Sequence, residues 1–216
     1  MNFDRIYQYR FKGIDEDKKK ITWEEIAEFI YKKLSQPDSI LDPAAGKCEL
    51  INSIKSKERW AVDLNDYFIK KYAAPDVKVV IGDILTTVLP ENYFEAVFIS
   101  NFLEHLNSQE EVATLLEKMF RCLKPGGRIA VMGPNFKYAY RDYFDFADHT
   151  VILSELGLAE HLYGAGFEVE NIYPRFLPLS FRGGIPVSRL LVKTYLSMPW
   201  AWRFFGKQFL LIGKKL

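Results

Sequence analysis

Four polar residues close four short apolar runs: Asp42 after Ser39-Ile40-Leu41, Asp63 after Trp60-Ala61-Val62, Asp83 after Val77–Ile81 and Gly82, and Asn101 after Ala96–Ile99 and Ser100. Any one of them alone is an ordinary turn former. Four in register on neighbouring strands gather three carboxylates and an amide at one sheet edge, where loops and helix N-termini offer free N–H groups to a ligand. The turn after the first run is Asp42-Pro43-Ala44-Ala45-Gly46, with Asp63 following Gly46 by a little under twenty residues. That spacing suits a nucleotide-type ligand: close backbone approach at the glycine, then a carboxylate about twenty residues on to take two ribose hydroxyls. Residues 44–49 read Ala-Ala-Gly-Lys-Cys-Glu, not a full G-x-G-x-x-G, which disfavours close packing against a pyrophosphate.

A second set of residues could handle a proton. His105 lies just beyond the fourth run, and His149 ends an aromatic loop over 135–149 with Asp148 beside it, available to orient it. Both are candidate general bases, although helix capping or packing is the ordinary role of a lone histidine. His161, inside a helical pattern, reads as structural. The loop holds Phe136, Tyr138, Tyr140, Tyr143, Phe144 and Phe146, with Lys137, Arg141 and Asp142 between them. Some of these aromatics must pack inward. Tyr140 and Arg141 are the candidate contacts to a second substrate, and Tyr9-Arg10-Phe11 of the N-terminal arm is a candidate lid, with Arg10 as its substrate contact. A disordered terminus is the equally plain reading of that arm. Cys48 and Cys122 lack metal-ligand spacing, so reduced thiols and no metal are expected.

The elements that must position these residues alternate. Thr22 and Glu25 fit a capping box opening a helix over about 22–35. The run 39–41 is a strand, 47–56 a helix, 60–62 a strand, 66–73 a helix, and 77–81 and 96–99 strands. Ser108 opens a long amphipathic helix that Pro125-Gly126-Gly127 stops before a strand over 128–132. Ser154 caps a helix to about Ala165, the strand 167–173 follows, and 209–213 is the last. This predicts an α/β fold: a doubly wound, seven-stranded, mostly parallel sheet with helices on both faces.

The chain has 216 residues, 49% hydrophobic and 26% charged, as expected for one globular domain. It divides into an N-terminal arm and helix (1–35), a ligand-binding core (36–175) and a basic aromatic segment with the last strand (176–216). The start, MNFDRIYQYRFKG, does not read as a secretory signal, and the longest uncharged run is nine residues, too short to span a bilayer. A cytoplasmic protein is expected. Residues 171–216 carry eight Lys or Arg and no acid, leaving 1–170 at −7 within an overall +1. A helix over 186–198, begun by Pro186, leads to Trp200, Trp202, Phe204 and Phe205 around Arg203 and Lys207. Such a face over 186–207 suits peripheral contact with an anionic membrane or a phosphate-bearing acceptor, or simply a helix with a solvated basic rim. Near-neutral net charge gives no general nucleic-acid steering.

Over about residues 35–175 the sequence resembles the class I S-adenosylmethionine-dependent methyltransferases. The resemblance lies in ILDPAAGKCEL, AVDLN, IGDIL, FISNFLEHL and LKPGGRIAVMGPN, and DHTVILSELGLAEHLYGAGFEV is similar to the small-molecule subgroup called type 11. It implies a Rossmann-like fold and S-adenosylmethionine as methyl donor. It places Asp42, Ala44, Ala45 and Gly46 near the methionine part, Asp63 and Leu64 at the ribose, Asp83 and Ile84 around the adenine, and Ser100 and Asn101 in the donor pocket. It implies methyl transfer to a small molecule, sugar or lipid-linked acceptor. Two glycines of the family loop are Ala44 and Cys48 here, leaving the loop less free to adopt positive φ. A non-catalytic protein on the same fold is the alternative. A nicotinamide dehydrogenase ranks lower, and DNA base methylation is disfavoured because Asn101-Phe102-Leu103-Glu104 replaces Asn-Pro-Pro-aromatic.

Overall fold

Seven strands form one sheet: β1 (Ser39–Asp42), β2 (Glu58–Asp63), β3 (Val77–Ile81), β4 (Phe94–Ser100), β5 (Leu123–Pro134), β6 (Glu168–Leu177) and β7 (Gln208–Lys214). Their order is β3-β2-β1-β4-β5-β7-β6. In this computed structural model the described residues are 5, 6, 9, 15–179 and 188–216. Arg10, Phe11, Pro186 and Val187 lie outside the described residues. The pairs β1–β2, β2–β3, β1–β4 and β4–β5 are parallel, whereas β7 runs antiparallel to both β5 and β6. The mostly parallel expectation therefore holds, with β7 as the exception. From β1 the chain steps outward to β3 and then returns to place β4 on the other side of β1. Connections diverge at that boundary, which opens a crevice at the carboxyl ends of the two strands.

The strands are apolar on both faces because both are covered. Leu41, Val62, Val97, Ile99, Val131 and Leu211 join one core, and their neighbours Ile40, Ala61, Ala96, Phe98, Ala130 and Ile212 join the other. The helices are α1 (Glu16–Lys33), α2 (Glu49–Ser53), α3 (Asp66–Tyr72), α4 (Gln109–Cys122), α5 (Phe136–Ala139), α6 (Glu155–Gly164), α7 (Arg189–Ser197) and α8 (Pro199–Phe205). α4 and α6 cover the first core, while α1, α2, α3, α7 and α8 contribute to the second. In α4 the buried residues Val112, Leu115, Leu116, Met119 and Cys122 keep helical spacing, and Ser108 accepts the Glu111 N–H at 3.2 Å as the expected cap. Ser154 caps α6 through the Gly157 N–H in the same way.

Three elements depart furthest from the sequence reading. α1 begins at Glu16, capped by Asp15, which accepts from the Lys18 N–H at 3.2 Å. Thr22 lies inside it and donates its hydroxyl to the Lys18 carbonyl at 2.9 Å. Asp15 followed by Glu16 and Asp17 puts three acids at the positive end of the helix dipole, which outweighs the later capping-box pattern. β5 starts at Leu123, directly after α4, so Pro125-Gly126-Gly127 lies within it; the register with β4 shifts between Phe94 and Ala96 to absorb the turn. α8 was not anticipated from the sequence; it forms because Pro199 suits a first turn and Trp202 buries its ring beside Phe176.

The end of β7 is tied down by a buried cation. The Lys215 ammonium, 9% exposed as a residue, donates to Asn92 Oδ1 and to the carbonyls of Phe120 and Leu123, each at 2.8 Å. Lys215→Met removes the shared donor from these acceptors. The expected cost is about 2–4 kcal/mol, read in urea unfolding as a lower midpoint with an unchanged slope.

Candidate functional site

The turn after β1 crosses the mouth of the crevice. The Ala45 N–H donates to the Val62 carbonyl at 3.0 Å, anchoring the turn to β2. Gly46 has φ +52°, and a Cβ built on it meets nothing within 4 Å. Its N–H donates to Asp63 Oδ2 at 2.7 Å, while Asn65 N–H donates to Asp63 Oδ1, also at 2.7 Å. Each oxygen of Asp63 thus receives one backbone N–H and keeps capacity to accept from a hydroxyl. Burial raises the Asp63 pKa, and the two backbone donors pull against it.

The two missing glycines have unequal consequences. Ala44 is not among the positive-φ residues, so its Cβ is accommodated there, whereas Cys48 sits at φ 60° in the left-handed region. That conformation costs a non-glycine residue roughly 1–2 kcal/mol. The Cys48 thiol is fully buried and pushed up to about 12 by burial, so it packs as an inert thiol.

Asp42 is 5% exposed and accepts the Ala44 N–H at 3.3 Å. Burial, then the negative charges of Asp63 and Glu49, push its carboxyl up to about 8. Asp83, exposed, turns the chain after β3 by accepting the Leu85 N–H at 2.9 Å. Ile84 beside it is buried, and Lys118 of α4 donates to the carbonyls of Ile84 at 2.6 Å and Leu85 at 3.2 Å. Nothing in the sequence marks Lys118 as the residue that holds this turn. Leu64, at 73% exposure, and Ile81 leave apolar surface uncovered at the ends of β2 and β3. At the end of β4, Asn101 takes φ 48° and its amide donates to Ser100 Oγ at 3.0 Å. An open glycine turn, a carboxylate with free acceptor capacity and uncovered apolar side chains fit an adenosyl group with a cationic sulfur.

Beyond Asn101 a 3-10 turn, Leu103–His105, carries a second cluster. His105 and His149 have ring centroids 5.0 Å apart, and Glu104 Oε1 lies 3.9 Å from His105 Nε2. The structure thus brings together both histidines and adds Glu104, which sequence reasoning did not single out. Asp148, expected to orient His149, lies against His105: His105 Nδ1 is 3.0 Å from its carbonyl and 3.4 Å from Oδ2. His149 stacks on Phe146 at 4.8 Å and meets the edge of buried Tyr143 at 4.8 Å. Tyr140 and Arg141 form an exposed surface pair, with Arg141 Nε donating to Tyr140 Oη at 3.0 Å. A cleft of about 410 Å³ nearby is lined by Asp142, Asp145, Phe146, Pro178, Leu179, Phe205 and Lys207. Tyr140 and Arg141 stand outside that lining; Phe146 belongs both to it and to the packing around His149. His161 is tied to Gln109 Oε1 at 2.7 Å, as a structural residue.

Much of the basic tail is engaged within the fold. Arg175 donates to the Phe204 and Gly206 carbonyls, Arg189 pairs with Glu24 and Glu25, and Lys207 pairs with Asp142. Arg203 is exposed beside Trp200, Phe204 and Phe205. Among the described residues no helix is long and apolar enough to cross a membrane.

Comparison with known proteins agrees with this geometry. Residues 41–131 match the Methyltransferase domain family of type 11, the stretch from β1 to β5 that contains the glycine turn and Asp63. No curated protein matches the chain by sequence. The fold is similar to a SAM-dependent methyltransferase from Archaeoglobus fulgidus at 22% identity and TM-score 0.64, covering 99% of this chain and 100% of that one. It is also similar to a SAM-dependent methyltransferase from Thermotoga maritima at 15% identity and TM-score 0.66, covering 99% and 96%. A geranyl diphosphate methyltransferase in complex with SAM matches at 14% identity and TM-score 0.64, covering 89% and 85%. The stretch from β1 to β5 thus carries the match to the methyltransferase domain family, and the sheet as a whole shares the fold of solved SAM-dependent methyltransferases.

Proposed function

We propose that this chain, acting as one domain, methylates a small molecule, sugar or lipid-linked acceptor that enters from the side of the aromatic loop. The observation that carries the donor half is Asp63, held by the Gly46 and Asn65 N–H groups under an open glycine turn. In this reading Asp42, Ala44, Ala45 and Gly46 surround the methionine part, Asp63 takes the ribose hydroxyls with Leu64 beside it, Asp83 and Ile84 frame the adenine, and Ser100 and Asn101 line the pocket toward the acceptor. The bound donor supplies an activated methyl on a positive sulfur, open to direct displacement. The protein's task is alignment of the acceptor atom, worth several orders of magnitude in rate when the reacting atoms are held in line.

The acceptor half rests on the His105–His149–Glu104 cluster and the adjoining cleft. His105 or His149 takes a proton from an acceptor that must lose one. The cleft mixes Phe146, Pro178, Leu179 and Phe205 with Asp142, Asp145 and Lys207, which supports an acceptor with both apolar and polar parts. The likeness to a geranyl diphosphate methyltransferase points the same way. Exposed Trp200, Phe204 and Phe205 around Arg203 support presentation of such an acceptor at an anionic surface.

Calorimetric titration with S-adenosylmethionine and S-adenosylhomocysteine tests the donor half. Saturable binding of both is expected, weakened roughly 30- to 150-fold in Asp63→Ala, the equivalent of about 2–3 kcal/mol for a charged hydrogen-bonding group. Gly46→Val should weaken it more than tenfold, because the new side chain fills the open side of the turn. Silence with both ligands overturns the reading in favour of a non-catalytic protein.

Asp42 generates a separate expectation. The folded chain keeps its proton up to about pH 8, while the unfolded chain releases it near 3.8. The native state therefore binds more protons in that window, and stability falls as pH rises from about 4 to 8. Asp42→Asn should flatten this decline, so that its Tm gains on the parent between pH 5 and 8. A Tm difference that does not grow with pH counts against a buried neutral acid. A cationic ligand beside Asp42 favours its carboxylate, so donor binding near pH 7 should release a proton, seen as a buffer-dependent calorimetric enthalpy absent in Asp42→Asn.

A further inference from the structure

We propose that Glu104, His105 and His149 hold a divalent transition-metal ion of the zinc type beside the donor edge of the sheet. One ligand atom from each of the three lies within 4.8 Å of the others, close enough to share one ion. The set has two imidazoles and one carboxylate, the nitrogen–oxygen mixture that suits zinc and its neighbours over magnesium or calcium.

The surroundings fix the ligands as metal sites require. With Nδ1 of His105 facing the Asp148 carbonyl at 3.0 Å, the ring carries its proton there and presents the Nε2 lone pair, which lies 3.9 Å from Glu104 Oε1. A carbonyl or carboxylate behind a ligating histidine sets its tautomer and raises its basicity, and here Asp148 offers both, its Oδ2 standing 3.4 Å away. The His149 ring is held between Phe146 and Tyr143. The two segments are stitched together, because the N–H groups of Thr150 and Val151 donate to the Glu104 carbonyl at 2.8 and 3.1 Å. Glu104 and His105 come from the turn after β4 and His149 from the loop after β5, so the parallel pairing of those strands brings the ligands together.

The side chain of Glu104 is 4% exposed and that of His105 is 17% exposed. One side of the cluster therefore reaches solvent. Three protein ligands and an open position describe a catalytic rather than a structural site. This role rests on the methyltransferase reading above and deepens it: the acceptor is a hydroxyl whose oxygen binds the ion. With the ion bound, His105 and His149 serve as ligands in place of a general base: the ion lowers the hydroxyl pKa and the O–H proton passes to solvent. The oxygen then forms the new O–CH3 bond as the S–CH3 bond breaks, its electron pair returning to sulfur.

The test uses the full chain, free of any histidine tag and stripped with chelator, titrated with Zn²⁺ by calorimetry and with Co²⁺ by visible absorption. One equivalent is expected to bind with a Kd of about a micromolar or below, with cobalt d–d bands of nitrogen–oxygen coordination. Glu104→Gln and His149→Gln should each weaken binding at least tenfold, and His161→Gln should bind as the parent does. Melting curves of the stripped variants establish that they fold. No saturable binding, or binding that survives both Glu104→Gln and His149→Gln, overturns the proposal. Donor binding is titrated separately: metal binding without it leaves the site standing and removes the methyltransferase reading, and donor binding without metal does the reverse.

Discussion

The central strands are buried on both faces, so their polar chemistry can emerge only at their ends. All four residues of β1 are buried, with β2 on one side and β4 on the other. No side chain midway along such a strand can reach solvent, and backbone groups there are consumed by the ladders. The chain leaves β1 in one direction and returns to β4 from the other, so an opening lies where those paths part. Gly46 and Asp63 close that opening from one side, and Ser100 and Asn101 stand on the other.

What the sequence revealed followed from local periodicity. Acids ending apolar runs marked the strand ends, and Ser108 and Ser154 marked helix starts, because each signal lies within a few residues of what it specifies. The failures are nonlocal or conformational. Thr22 and Glu25 satisfy a capping pattern, but Asp15 with its two following acids competes better for the same role. Cys48 takes a left-handed backbone that nothing about cysteine advertises. His105 and His149 are far apart in the chain, and only the pairing of β4 with β5 makes them neighbours; Glu104 becomes notable only once its burial is seen. Lys118 reads as a surface helix lysine until its ammonium is found on the turn after β3. Tyr140 and Arg141, singled out for their types, pair with each other at the surface, a contact between neighbours that their types alone do not specify.

The glycine turn shows how a loop can depart from its family and keep its geometry. Only positions that require positive φ are sensitive to losing glycine. Gly46 occupies one and is retained; Ala44 replaces a glycine where no such demand exists. Cys48 takes the remaining strain, and its full burial in the core containing Ile51 and Ile69 offsets a cost of roughly 1–2 kcal/mol through apolar contact. The altered loop is therefore compatible with donor binding, since the strain falls on a residue facing the core and not on the open side of Gly46.

The two halves of the crevice differ in chemistry for a physical reason. In the proposed reading a donor bearing a positive sulfur and an ammonium is matched by the carboxylates of Asp42 and Asp63, with Gly46 leaving the turn between them open. Burial raises the pKa of both Asp42 and Asp63, and the charge of Asp63 adds to the rise at Asp42, which is unfavourable for the empty protein and is relieved by a cation. The same carboxylates could not activate an acceptor from behind the donor. Across Asn101 the inventory changes to imidazoles, one carboxylate and aromatic rings, groups that accept a proton or coordinate an ion near neutrality and pack against an apolar acceptor. Methyl displacement requires donor and acceptor to approach from opposite sides of one carbon, and in the proposed reading the β1 end of the edge serves the donor and the β4 end the acceptor.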